Sequence, residues 1–249
     1  MMLRGLWKLT WVELKVFLRE PLGFFATVAL PLIVFLLLGR SLGDDMHRAT
    51  ELESFVRVTL PVLASLLMTL TAATSLIAII AIYREAGILK RLRATPLRPQ
   101  TILAAHVALK LGLTALTLGL MLLAGKRFYP VDLAADLLSF TVALLLSTLS
   151  VLSLGFVIAS LVPTARFARP AGSAVLYPLL AISGLFAPIE ALPGIWQKIT
   201  LFSPVTHAVT LLQGIWNGES WSAHGLAVVA LLANLAICTA LSAKIFKWE

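Results

Sequence analysis

Residues 58–83 read VTLPVLASLLMTLTAATSLIAIIAIY, an unbroken run without one formal charge. A helix needs roughly 17–25 apolar residues to cross a bilayer. This run meets that length, and it does not alternate polar and apolar residues as a strand of a membrane barrel would. It therefore reads as a transmembrane helix, and it sets the scale for the rest of the chain.

Working outward, five further stretches match it: 22–39, 102–125, 137–162, 171–189 and 225–243. Only Lys110 puts a charge inside any of them. The composition agrees, with 59% hydrophobic and 13% charged residues against about 25% charged in soluble domains. The fold class expected is an all-α integral membrane protein with six transmembrane helices, forming one transmembrane domain over 1–249. There is no internal repeat, and no loop is long enough for a second domain.

Residues 199–216 are also uncharged, but they carry Thr200, Ser203, Pro204, His207 and Gln213. Charge decides how to place them. With six spans and both termini inside, Arg4, Lys8, Lys15, Arg19, Arg84, Lys90, Arg91, Arg93, Arg98, Arg166, Arg169, Lys244 and Lys247 fall on inner segments. Only Arg40, Arg48, Arg57, Lys126, Arg127 and Lys198 fall outside, as the positive-inside rule requires. A seventh span would move Lys244 and Lys247 outward. Residues 199–216 are thus expected to be re-entrant or surface-lying.

Residues 1–21 interleave Leu6, Trp7, Leu9, Leu14, Phe17 and Leu18 with Arg4, Lys8, Lys15 and Arg19. No continuous apolar core of a signal peptide exists here. The pattern suits a helix in the membrane interface, with Trp7 at headgroup depth, ended by Pro21.

The absences are sharp. No G-x-x-x-x-G-K-[ST] phosphate loop, H-E-x-x-H zinc motif or G-x-S-x-G elbow occurs. The four histidines lack ligand spacing, and Cys238 stands alone. Proton coupling would leave carboxylates inside the spans, and none is there. His106 and Lys110 are four apart, on one helix face. They read either as a polar lining of a path or as a lysine snorkelling to the inner headgroups. The net charge of +8 lies in short inter-span loops, which fits membrane orientation rather than nucleic acid.

Two loops stand out. Residues 83–99 read YREAGILKRLRATPLRP. Ile88, Leu89 and Leu92 share one face of a short helix, Lys90, Arg91 and Arg93 occupy the others, and Pro96 and Pro99 stop it. The apolar face has only membrane or a partner to bury against. Residues 183–196 read SGLFAPIEALPGIW. Gly184, Pro188 and Pro193 break regular helix, and Glu190 sits near the outer boundary. Irregular backbone at membrane depth must be buried in protein or line water, so a structured outer vestibule is expected.

These motifs together resemble the membrane subunit, or permease, of ABC exporters of the ABC-2 type, over nearly the whole chain. The resemblance rests on Arg19-Glu20-Pro21 before the first span. It rests too on Glu85, Gly87, Leu89, Leu92, Thr95 and Pro96 in an E-x-G-x-L-x-x-L-x-x-T-P pattern. The third element is Ser183, Gly184, Pro188, Leu192 and Pro193, followed by Ser203-Pro204. It implies a chain without catalytic residues or a metal, with ATP and Mg bound by a separate ATPase in two copies. It implies a coupling helix at 88–93, contacts of the interfacial helix with that ATPase, a second permease copy forming a homodimer, and an outer segment capping the path. Glu85 would then cap the loop helix through its first amides. The cargo expected is drug-like or lipid-like and amphipathic, with a polysaccharide or glycolipid as the alternative. A stand-alone channel or secondary transporter is disfavoured by the missing charges. The location implied is the inner (cytoplasmic) membrane.

Overall fold

The computed structural model describes residues 2–19, 21–43, 60–87, 99–128 and 136–245. All regular elements among them are helical. They are α1 (Met2–Leu18), α2 (Pro21–Phe24), a π turn (Phe25–Ala29), α3 (Leu30–Gly43), α4 (Leu60–Glu85) and α5 (Pro99–Phe128). There follow α6 (Leu137–Leu161), α7 (Ala165–Ala181), a 3-10 turn (Ile189–Ala191), α8 (Gly194–Phe202), α9 (Pro204–Trp216) and α10 (Gly225–Ile245).

Four helices are long and apolar enough to cross a membrane by length and composition: 62–85, 104–121, 137–161 and 225–245. The first apolar stretch is helical throughout 21–43, re-registered by the π turn. The turn ends just before Pro31, which lacks an N–H and crowds the carbonyl four residues back. Pro99 does not stop the preceding loop helix as expected. It is the first residue of α5, where its missing N–H costs no hydrogen bond.

The fifth stretch departs most from expectation. Its helix is α7, 165–181, rather than 171–189. Helix stops at Ile182 because the chain turns at Gly184, where φ is +88, and because Pro188 follows. Residues 199–216 are not one segment and do not lie on the surface. Ser203 divides them into α8 and α9. Ser203 Oγ accepts from the Thr206 amide at 3.4 Å, and Pro204 stands at the first helical position, a local signal for a new helix start. Nearly every residue of α9 from Pro204 to Trp216 is buried.

α6 is the central helix. It packs on α4, α9 and α10, and its buried positions are mostly small: Ala143, Ser147, Ser150, Ser153, Gly155 and Ala159. Small residues let helix backbones approach where lipid removes the hydrophobic drive to associate. Buried hydroxyls then find partners across helices. Thr148 pairs with Thr69 of α4 at 3.0 Å. Ser150 donates to the Leu231 carbonyl of α10 at 3.0 Å, and Asn234 donates back to Ser150 O at 3.0 Å. Phe140 meets Trp216 edge-on at 4.8 Å, fixing α9 against α6. By contrast α10 exposes Leu226, Val229, Leu232, Ile237 and Leu241, a lipid-type face.

Candidate functional site

The residues that could pass motion through the chain gather at the last turn of α4. Tyr83, Arg84 and Glu85 are consecutive, and each reaches a different element. The Arg84 guanidinium donates to the Val162 carbonyl, and to the Ala159 and Ser160 carbonyls at 3.4 Å each. These are the last carbonyls of α6, which have no partner inside their own helix and carry the negative end of its dipole. Glu85 Oε2 accepts from the Ala165 amide at 2.7 Å. That amide opens α7, at the positive end of its dipole. Thr164 makes no side-chain cap there, so Glu85 supplies it from another helix. Glu85 therefore reaches a different helix start from the one expected at the sequence level. Two opposite charges thus clamp the turn between α6 and α7.

One residue earlier, Tyr83 OH donates to Glu13 Oε1 of α1 at 3.4 Å and lies 3.2 Å from His106 Nε2 of α5. His106 Nδ1 is 3.2 Å from Glu13 Oε2. Three groups on three helices close a ring. Lys110, one turn further along α5, sits 5.2 Å from the centre of the Phe17 ring, a cation–π geometry. His106 and Lys110 do share a face, and both are buried, but that face is turned to α1. A cleft of about 130 Å³ lies beside it, lined also by Glu13, Phe17, Ser75 and Arg169. Below the ring, Phe17 packs on Leu109 and Leu113.

Past Glu85, Ala86 and Gly87 form a turn with Gly87 at φ +65, a conformation glycine tolerates best. Ile88, Leu89, Lys90, Arg91, Leu92, Arg93, Thr95 and Pro96 lie outside the described residues, as does Glu20. Arg19, Pro21 and Trp7 are exposed.

On the opposite side of the sequence order, the outer segment is ordered by backbone bonds. Ser183 is buried and donates to the Leu180 carbonyl at 2.7 Å. An added Cβ at Gly184 would stand 3.1 Å from Ile189 Cγ1. Pro188 leads into the 3-10 turn holding the exposed Glu190, and Pro193 precedes α8. Gln197 Nε2 ties the turn down through the Glu190 and Leu192 carbonyls at 3.2 and 2.8 Å.

Glu13, Tyr83, Arg84 and Gln197 carry much of this geometry and were not singled out in the sequence. Glu13 was detectable: it lies four residues before Phe17, on the same apolar face of an amphipathic helix, where a lone carboxylate needs a partner.

Residues 4–216 match the ABC-2 type transporter family. The chain belongs to that family. Among its relatives is the daunorubicin resistance ABC transporter permease protein DrrB1 of Streptomyces coeruleorubidus, 28% identical over 95% of this chain and 84% of that protein. The probable multidrug ABC transporter permease YbhR of Escherichia coli K12 is 26% identical over 53% of this chain and 36% of its own length. Nodulation protein J of Rhizobium meliloti is 26% identical over 41% and 39%. This ABC-2 chain is accordingly an integral membrane protein and the transmembrane subunit of an ABC transporter. It is not itself catalytic, and the family works with a separate ABC ATPase.

Proposed function

We propose that this permease forms the translocation path of an ATP-driven exporter for drug-like or lipid-like amphipathic molecules. Two copies pair around the path, each with an ATPase that binds ATP and Mg, in the inner membrane with both termini cytoplasmic. The observation that carries the reading is the knot at the inner end of α4. Tyr83 reaches α1 and α5, while Arg84 and Glu85 hold the α6–α7 turn. The basic, apolar-faced segment 88–93 follows within three residues. In this reading Ile88, Leu89 and Leu92 bury against the ATPase, and Lys90, Arg91 and Arg93 set register and association rate. Closure of the ATPases moves that segment, and α4 carries the movement to every helix tied to its end as a near-rigid body. His106 and Lys110 then act on the path through α1. Thr95 and Pro96 end the lever, and Arg19, Glu20 and Pro21 set how α1 enters the membrane.

The six-span count has geometric support. Residues 21–43 make about 34 Å of helix at 1.5 Å per residue, enough for the roughly 30 Å hydrocarbon core. α9 spans about 20 Å, too short to cross and yet buried, which favours a re-entrant α8–α9 pair. The tied-down turn at Ser183, Gly184, Pro188, Glu190 and Pro193 would cap the path outside. The printed names of two relatives, daunorubicin resistance and multidrug, favour the drug-like cargo. Inverted vesicles holding the permease and its cognate ATPase should accumulate a fluorescent amphipathic drug with ATP and not without it. Equal accumulation without the ATPase would overturn the proposal.

A further inference from the structure

α1 lies along α5 with the Glu13 ring on one side and a groove on the other. The groove encloses about 460 Å³ between Trp7, Trp11 and Leu14 of α1 and Leu113 and Leu116 of α5. Gly112 forms its floor, where an added Cβ would meet nothing within 4 Å. The groove opens onto the lipid-type face of α5, where Leu116, Leu120 and Leu123 are exposed. Trp7 and Trp11 rim it at 72% and 51% exposure, too apolar a rim to face water alone and well suited to headgroup depth.

Charge runs along the same rim. At 100° per residue, Lys8 and Lys15 fall on one flank of α1, just beyond the tryptophan row. Both are exposed, and Lys15 Nζ stands 5.5 Å from the centre of the Trp11 ring. An apolar slot continuous with the bilayer and edged by two ammonium groups matches one molecule: a lipid with a chain to bury and a phosphate to offer. We propose that the groove holds an acyl chain of an anionic phospholipid, with its phosphate against Lys8 and Lys15. A zwitterionic lipid fills the slot equally well but gains less from the lysines, so headgroup preference is the signature.

The test is native mass spectrometry of the purified full chain, titrated with phosphatidylglycerol and with phosphatidylcholine of the same chains. One phosphatidylglycerol should be retained preferentially. Lys8→Gln and Lys15→Gln should each weaken that preference about fivefold. Gly112→Phe should fill the slot and abolish the retained lipid. Photo-crosslinking of a diazirine-tailed phosphatidylglycerol to the unaltered chain keeps the test decisive should Gly112→Phe fail to fold. Adducts within 7–14 and 108–116 support the site, and adducts only elsewhere overturn it. Unchanged lipid retention in Gly112→Phe overturns it too, as does loss of ATPase binding with lipid retention intact, which would make the groove a protein dock.

Discussion

Arg84 and Glu85 show how one pair of side chains can serve two helices. Each satisfies backbone groups that a helix cannot pair internally, and each sign meets the matching end of a helix dipole. Arg84 is half-buried and donates to three carbonyls. Hydrogen bonds to charged groups are worth about 1.5–3 kcal/mol, so Arg84→Ala should lower the melting temperature in detergent by several degrees. Arg84→Lys should recover part of it, since one ammonium cannot reach as many carbonyls as a guanidinium fork. Equal melting of Arg84→Ala and the unaltered chain would show that the clamp contributes nothing. Glu85 was legible as a helix cap from the sequence, but not which helix it caps, because its target is eighty residues away. The same holds for His106 and Lys110. Their shared face followed from a spacing of four, whereas the partner face of α1 depends on how two helices cross, which periodicity does not encode.

At the scale of elements, close packing sets the tolerances. Gly172 of α7 sits against α4, and a Cβ there would come 2.7 Å from Ile77 Cδ1. That contact is the far end of a flexible side chain, so Gly172→Ala should be nearly neutral. Gly172→Leu should force α4 and α7 apart and lower the yield of folded protein by size-exclusion chromatography. Gly214 leaves less room, because the His224 ring lies directly over it, held by Glu219 Oε2 at 2.9 Å. Gly214→Ala must expel that ring and break the pair. The start of α6 is set by Asp136, whose side chain accepts from the Leu138 amide at 3.1 Å and from Ser139 Oγ at 2.7 Å. The Ser139 and Leu138 bonds hold its carboxyl below the usual range. A lowered folded-state value stabilises the protein above the ordinary carboxylate pKa, and that contribution is lost as pH falls through the folded value. Asp136→Asn should therefore loosen amide exchange at the first turn of α6 at neutral pH, and the difference should vanish in strong acid. Most element positions were readable because long uncharged runs have one solution in a bilayer. The α8–α9 break and the shift of α7 were not, since they turn on Ser203-Pro204 and Gly184 acting locally inside apolar sequence.

For the whole molecule, the helices form one packed body around α6, and its inner end converges on the last turn of α4. An ABC-2 permease of this build has no engine of its own, so its function depends on what grips it beside that turn. The claim is tested most directly by reconstituting the permease with its ATPase in liposomes and carrying Leu89→Glu together with Leu92→Glu. Those changes place carboxylates on the apolar face of the 88–93 segment. The account predicts that cargo-stimulated ATP hydrolysis falls to the basal rate and transport stops while the permease stays folded. Full cargo-stimulated hydrolysis and transport in the double variant would contradict it.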